Sequence, residues 1–186
     1  MIRLFLTCLF LTSAATPAFP QESKIFLIFP LESKSADPLL SWIGEGVALA
    51  MGDALRGAGM NVISREDRMK FVESADLPPG MLLSRASMIR VAQQAEADLL
   101  AFGSFSGTAD NLQVTLQVLD LHSLRFRGDI TGNGALSGLP QIENDMSWLV
   151  LVNNGLNQGH THEQHRKLIR KMSNAAYERY INSLPR

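Results

Sequence analysis

The sequence predicts an α/β fold, a mixed sheet of about five strands flanked by helices, with a further helix at the C-terminus. Two observations support this prediction. In the first half of the chain, apolar strand-like segments alternate with amphipathic helix-like segments. This order is typical of parallel strands that are connected by helices. Three strand-like segments then follow with connections too short for a crossover, at 99–105, 112–120 and 124–130. These three are expected to form an antiparallel meander.

The first half of the chain supplies the predicted parallel strands. Segment 25–29 is a continuous apolar run that ends at Pro30, which is typical of a strand buried on both faces. A second short strand is predicted at 60–64. Apolar residues recur every three or four positions in three helical segments: 40–55, 65–75 and 84–95. The order of strand, helix and strand favours a βαβ unit.

The meander alternates apolar and polar residues with a period of two, which indicates one buried and one solvated face. In segment 112–120 the expected inward residues are Leu112, Val114, Leu116 and Val118. In segment 124–130 they are Leu124, Phe126 and Ile130. The sheet is therefore expected to bury one face of this half.

Two helices are predicted after the meander. Pro140 suits the first turn of one helix, whose apolar side comprises Ile142, Met146, Leu149 and Val150. A polar linker is predicted at 157–164, followed by one helix within 165–186. Its apolar stripe comprises Leu168, Met172, Ala176 and Tyr180. A lone helix with such a stripe is marginal in water, so the stripe is expected to dock on the domain or on a partner.

The N-terminus is organised like a secretory signal peptide, predicted over residues 1–18. Arg3 precedes an apolar stretch at 4–11, and small residues follow, with cleavage expected after Ala15 or Ala18. The apolar stretch is shorter than the ~20 residues that span a membrane. We therefore expect a periplasmic protein with no integral membrane span.

Composition excludes some classes of function. The chain has 186 residues and a formal net charge of −1, which argues against electrostatic binding of nucleic acid. Its one cysteine, Cys8, lies too early for a complete lipoprotein signal and would be removed with the signal peptide. The mature chain would then have no thiol nucleophile and no disulfide.

Five segments in a fixed order resemble the α/β domain of the TolB amino-terminal type. They are Phe29-Pro30, Trp42-Ile43-Gly44-Glu45-Gly46, Asn61-Val62-Ile63-Ser64-Arg65, residues 95–104 and residues 112–120. The resemblance covers residues 24–156. His122-Ser123 and Phe126 depart from it, because such domains often carry an acidic-residue-Thr-Gly turn and a tryptophan there.

The resemblance implies a scaffold or accessory module of the cell envelope. Domains of this type also stand ahead of tetratricopeptide arrays, and segment 175–184 looks like the helix that leads into such repeats. The implied partner is another envelope protein or a repeat domain, and the oligomeric state stays open.

One segment has metal-ligand character, because His160, His162 and His165 lie close together with Glu163. His162 and His165 would share a helix face if the last helix began early. Zinc sites usually take a further ligand from elsewhere, and His122, the remaining histidine, is expected in a hairpin turn. An exposed polar linker is the simpler interpretation, and a metal- or ligand-binding sensor is the alternative.

Other motifs fail at a defining position. Gly44-Glu45-Gly46 lacks the third glycine of a dinucleotide fingerprint and indicates close packing instead. Phe105 stands where a nucleophile elbow needs serine. The acidic residues are explained by capping or solvation: Glu45, Asp53, Asp98 and Asp120. Trp42 and Trp148 are expected to anchor the core.

No catalytic, cofactor-binding or metal-binding residue is predicted from these patterns. The sequence therefore indicates a non-enzymatic protein–protein interaction module.

Overall fold

The computed structural model describes residues 24–75 and 83–185. The predicted signal peptide with Cys8, and the Pro78-Pro79-Gly80 segment, lie outside these residues. Six strands are described: β1 (Ile25–Ile28), β2 (Glu32–Ser33), β3 (Asn61–Val62), β4 (Leu99–Gly107), β5 (Leu112–Asp120) and β6 (Arg125–Gly134). Six α-helices are described: α1 (Ile43–Gly57), α2 (Arg65–Ser74), α3 (Arg85–Gln94), α4 (Leu139–Asn153), α5 (His162–Arg166) and α6 (Asn174–Ser183).

The strands form one mixed sheet in the order β3-β1-β4-β5-β6, and the short β2 also pairs with β4. Strand β1 runs parallel to both β3 and β4, while β4, β5 and β6 are antiparallel. The predicted α/β class and the predicted meander are both confirmed. Strands β4 and β6 run further than predicted, to Gly107 and Gly134.

Each face of the sheet has its own apolar core. On one face, α1, α4 and α6 pack on residues such as Phe26 and Leu116. On the other face, a smaller cluster joins Leu27 and Leu100 to α3 and the partly buried apolar side chains of α2. Strand β1 is therefore buried on both faces, as its continuous apolar run predicts.

Strand β5 shows the predicted alternation, since Leu112, Val114, Leu116 and Val118 are buried and Gln113 is exposed. The prediction for the next strand is wrong in part. Ile130 is buried, but Leu124 is 63% exposed and Phe126 is 50% exposed. Leu124 lies in the turn with a φ of 53°, and the pairing of β5 with β6 shifts register between Gln117 and Leu119. A β-bulge of this kind breaks the period of two.

A C-terminal helix is present, as predicted, but it begins only at Asn174, and a separate short helix, α5, precedes it. The Thr161 side chain caps α5, within the predicted linker, and the Ser173 side chain caps α6. Because α6 begins at Asn174, the side chains that face the core differ from the predicted stripe. Tyr177 and Ile181 are buried, whereas Met172 and Tyr180 of the predicted stripe are each 46% exposed.

Candidate functional site

Two regions of the structure carry unusual polar groups. The first, the polar layer, lies where α4 meets the chain after it. Its members are buried or nearly buried polar side chains: Glu143, Asn144, Ser147, His165, Arg170 and Tyr177. The second is the outer edge of β6.

A chain of hydrogen bonds runs through the histidine part of the polar layer. The Ser147 hydroxyl donates to the Asn144 carbonyl oxygen at 2.8 Å and lies 2.7 Å from His165 Nε2. The Ser147 hydroxyl has a single proton, and that proton is bonded to the Asn144 carbonyl oxygen. His165 Nε2 must therefore carry a hydrogen and donate it to Ser147 Oγ. His165 Nδ1 then accepts from His160 Nε2, 3.2 Å away. Burial, followed by the neighbouring His160, lowers the pKa of His165, which favours the neutral ring that this chain requires.

The ring of Trp148 contacts the rings of all three histidines in segment 160–165. The ring of His162 stacks on it at 5.1 Å, and the rings of His165 and His160 lie 5.6 Å and 6.3 Å away. Trp148 also packs on the apolar core, as predicted. The interpretation of this segment as an exposed linker is wrong for His165, which is fully buried.

This arrangement is not an activated nucleophile. Ser147 and His165 are both fully buried, and His165 donates to the hydroxyl that it would have to deprotonate. Within residues 24–75 and 83–185, no group of three or more His, Cys, Asp or Glu residues is placed to hold a metal ion. His122 lies apart from the other histidines and contacts Asp98 at 2.8 Å.

The second part of the polar layer is an ion pair. Arg170 Nε donates to Glu143 Oε2 at 3.0 Å, and the two side chains are only 9% and 3% exposed. Arg170 also donates to Asn174 Oδ1 at 2.8 Å, and its guanidinium lies 4.1 Å from the centre of the Tyr177 ring. Burial raises the pKa of Glu143 to about 7, although Arg170 opposes the shift.

Tyr177 extends the polar layer to α1. Its hydroxyl donates to the Gly46 carbonyl oxygen at 2.9 Å. A Cβ atom on Gly46 would lie 3.1 Å from the Trp42 ring and 3.3 Å from the Tyr177 ring. A Cβ atom on Gly44 would lie 2.2 Å from the Leu31 carbonyl oxygen. Both glycines therefore serve close packing, as predicted.

A smaller ion-pair cluster lies at the end of β1. Glu45 accepts from Arg65 Nε at 3.0 Å and from Arg68, which is buried and donates to the Ile28 carbonyl oxygen at 2.8 Å. The expectation that Glu45 is a capping or solvated acid is therefore wrong. Its charge is matched within the fold.

The outer edge of β6 can be derived from the turn that joins β4 and β5. Thr108 and Asn111 exchange both backbone hydrogen bonds, at 3.1 Å and 3.2 Å. Antiparallel pairs alternate between bonded and non-bonded, so the even-numbered residues of β5 bond towards β6. Their partners there are Ile130, Gly132 and Gly134.

The intervening residues of β6 therefore turn their backbone N–H and C=O groups outwards. They are Asp129, Thr131 and Asn133, and we call their outward groups the β6 edge. All three side chains are exposed, and no other described segment bonds to these backbone groups. Next to them, Phe126 is half exposed and contacts Phe102 edge-on at 6.2 Å.

The other end of β6 is shaped differently. Gly128 has a φ of 87°, and the register shift lies opposite this segment. Arg125 is exposed, and Arg127 pairs with Asp120 at 2.6 Å. Bulges and charges of this kind discourage pairing between strand edges. The regular stretch from Asp129 onwards lacks the bulge.

Comparison with known proteins gives similarity of structure only. No protein-family model matches the sequence, and no curated protein matches it. The LpoB C-terminal domain from Salmonella enterica has a TM-score of 0.49 and 15% identity, over 61% of this chain and 83% of that chain. Lipoprotein GNA1162 from Neisseria meningitidis has a TM-score of 0.47 and 16% identity, over 74% and 99% of the two chains.

TolB from Acinetobacter baumannii is also similar, with a TM-score of 0.46 and 16% identity. The match covers 73% of this chain and 29% of the TolB chain. TolB, whose amino-terminal type the sequence resembles, is thus among the similar structures. In the described parts of the chain, no helix combines the length and the apolar character needed to cross a membrane.

Proposed function

We propose that this protein is a non-enzymatic interaction module of the bacterial cell envelope, which binds an extended segment of another envelope protein or repeat domain along the β6 edge. In this proposal residues 24–156 form a unit of the TolB amino-terminal type, exported to the periplasm by the signal peptide. The export rests on the charged, apolar and small-residue pattern at the N-terminus.

The β6 edge carries the proposal. Its backbone donors and acceptors at Asp129, Thr131 and Asn133 point outwards from a regular antiparallel strand. An extended peptide can pair with such groups and continue the sheet, and side-chain pockets then supply specificity. Phe126 offers an apolar contact on the same strand, and the exposed Arg125 favours an acidic residue in the partner.

The polar layer supports a role without catalysis. Its Ser147 and His165 are buried and bonded to each other, so a substrate has no access to them. The alternative, a metal sensor in segment 160–165, is weakened by the same bonds. Both ring nitrogens of His165 are engaged, by Ser147 and by His160, and a metal would have to break one of these contacts.

A proline at Thr131 tests the β6 edge. Thr131→Pro removes one outward N–H group and adds a ring on the outer side, whereas the matched control Thr131→Ala keeps the N–H group. A photo-crosslinking amino acid at Asn133, introduced in the native bacterium, should capture a protein partner. We expect the adduct to persist in Thr131→Ala and to be lost in Thr131→Pro.

A crosslinker at Asp53, which is exposed on α1, provides the positional control. Equal adducts in Thr131→Pro and Thr131→Ala would contradict the proposed edge. An adduct at Asp53 that matches the adduct at Asn133 in identity and yield would also contradict it.

A further inference from the structure

A small cavity lies between α1, α4 and the chain that precedes α6. Ala50 and Ala54 line it from α1, Glu143 and Asn144 from α4, and Leu168 and Arg170 from the later segment. Its volume is about 10 Å³, which is about the minimum for one water molecule. The C-terminal segment lines the side of the cavity opposite the two helices.

Two buried oxygen atoms of these lining residues have no partner in the described parts of the chain. They are Glu143 Oε1 and Asn144 Oδ1. Arg170 donates to Glu143 Oε2, so Glu143 Oε1 remains without a hydrogen-bond donor. Asn144 Nδ2 donates to the His165 carbonyl oxygen at 3.0 Å, which fixes the amide so that Oδ1 is the remaining atom.

We propose that this cavity is a binding site for one structural water molecule, which donates one hydrogen bond to Glu143 Oε1 and one to Asn144 Oδ1. When Glu143 is the carboxylate, both orphaned atoms are acceptors, so the occupant must donate twice, as water does. Arg170 already matches the charge of Glu143. A neutral occupant therefore fits better than a cation.

The site joins two parts of the molecule that are distant in sequence. Residues 168–170 line the same cavity as Glu143 and Asn144 of α4. Water binding and docking of the C-terminal segment are therefore coupled, and each favours the other. A water molecule bound to Glu143 Oε1 would also favour the carboxylate over the carboxylic acid.

A pair of isosteric substitutions on α1 tests the site. Ala54→Val and Ala54→Thr both add bulk to the cavity wall and exclude water, but only threonine brings a hydroxyl that can donate to an orphaned acceptor. In a high-resolution crystal structure of the full chain, we expect a water peak within hydrogen-bond distance of both oxygens. We expect Ala54→Val to lower the melting temperature more than Ala54→Thr.

A wild-type cavity without that peak, or with Asn144 Oδ1 and Glu143 Oε1 bonded to other protein groups, would overturn the proposal. Equal melting temperatures for the two variants would also overturn it. Neither result concerns the β6 edge, so the function proposed above would stand or fall separately.

Discussion

The polar layer and the β6 edge differ in whether their hydrogen-bonding groups are buried and paired or exposed to water. The polar layer takes charged and polar side chains out of water and pairs nearly all of them, as with Arg170 and Glu143. The β6 edge leaves backbone groups at Thr131 and Asn133 in water, without a partner in the described chain. A buried polar group is costly to leave unpaired, whereas a solvated one is not. The polar layer therefore joins α4 to the C-terminal segment, whereas the edge leaves its backbone groups exposed to solvent.

Removing one arginine from each region should give the largest contrast. At a pH above the raised pKa of Glu143, Arg170→Met leaves the Glu143 carboxylate buried without its partner, and there we expect a loss of about 3–5 kcal/mol in the free energy of unfolding. Arg127→Met breaks the ion pair with Asp120 near the edge, where Arg127 is 42% exposed. There we expect less than about 1 kcal/mol. Urea denaturation measures both.

The double variant Arg170→Met, Glu143→Leu is the control for this contrast. It replaces the pair with apolar groups and should recover much of the loss. Similar losses for Arg170→Met and Arg127→Met would mean that the polar layer is not a stabilising contact.

Proline at two paired threonines should separate the interior of the sheet from its edge. Thr115 and Thr131 are direct partners on β5 and β6, on the same face. The backbone of Thr115 bonds towards β4, so Thr115→Pro breaks the sheet and should cost about 3 kcal/mol or more. Thr131→Pro loses only an outward N–H group and should cost under about 1 kcal/mol. Thermal and urea unfolding compare the two.

If Thr131→Pro proved as destabilising as Thr115→Pro, the backbone of Thr131 would have to bond inwards. The register derived for the β6 edge would then be wrong.

The smallest contrast is in the dependence of stability on pH. Burial raises the pKa of Glu143 from 4.5 to about 7, so the folded protein binds the proton more tightly than the unfolded chain. The Glu143 contribution is thus present below pH 4.5 and is lost as the pH rises towards 7, by at most about 3 kcal/mol. The wild type should lose stability relative to Glu143→Gln over this window, as measured by urea unfolding at several pH values.

His165 acts in the opposite direction. Its lowered pKa means that its contribution is present above pH 6.5 and is lost as the pH falls through the folded-state value. Near the edge, the Ser123 backbone N–H lowers the pKa of Asp120, assisted by Arg127, so that carboxylate titrates only in acid.

A flat difference in stability between the wild type and Glu143→Gln from pH 4.5 to 7 would contradict the buried state of Glu143.

Local patterns predicted the parts of the fold that local rules decide. The alternation in segment 112–120 follows from one buried face, and the run at 25–29 follows from two. The inward positions of Leu124 and Phe126 were predicted wrongly, because the bulge between Gln117 and Leu119 depends on how the two strands pair.

The division of the C-terminal segment into two short helices was missed, although the sequence holds the signals for both starts. Thr161 and Ser173 are N-cap residues, and the capping box of Thr161 with Gln164 marks the start of α5. Apolar spacing across 165–184 outweighed these signals in the prediction of one long helix.

The polar layer could not be derived from α4 alone. On an isolated helix, Glu143, Asn144 and Ser147 would form an ordinary solvated face. Only the later segment, which brings His165 and Arg170, shows that this face is covered. The β6 edge could not be derived from the sequence either, because its outward residues depend on the hydrogen-bond phase of the meander.

The bond between the Tyr177 hydroxyl and the Gly46 carbonyl joins residues 131 positions apart in the chain. Contacts of such long range form slowly, because the entropy of closing so long a loop opposes them. A chain that emerges from its N-terminus would complete the sheet while the polar side of α4 still faced solvent. Tyr177 and its neighbours would then be the last contacts to form, and the C-terminal segment would set the time at which the fold is finished.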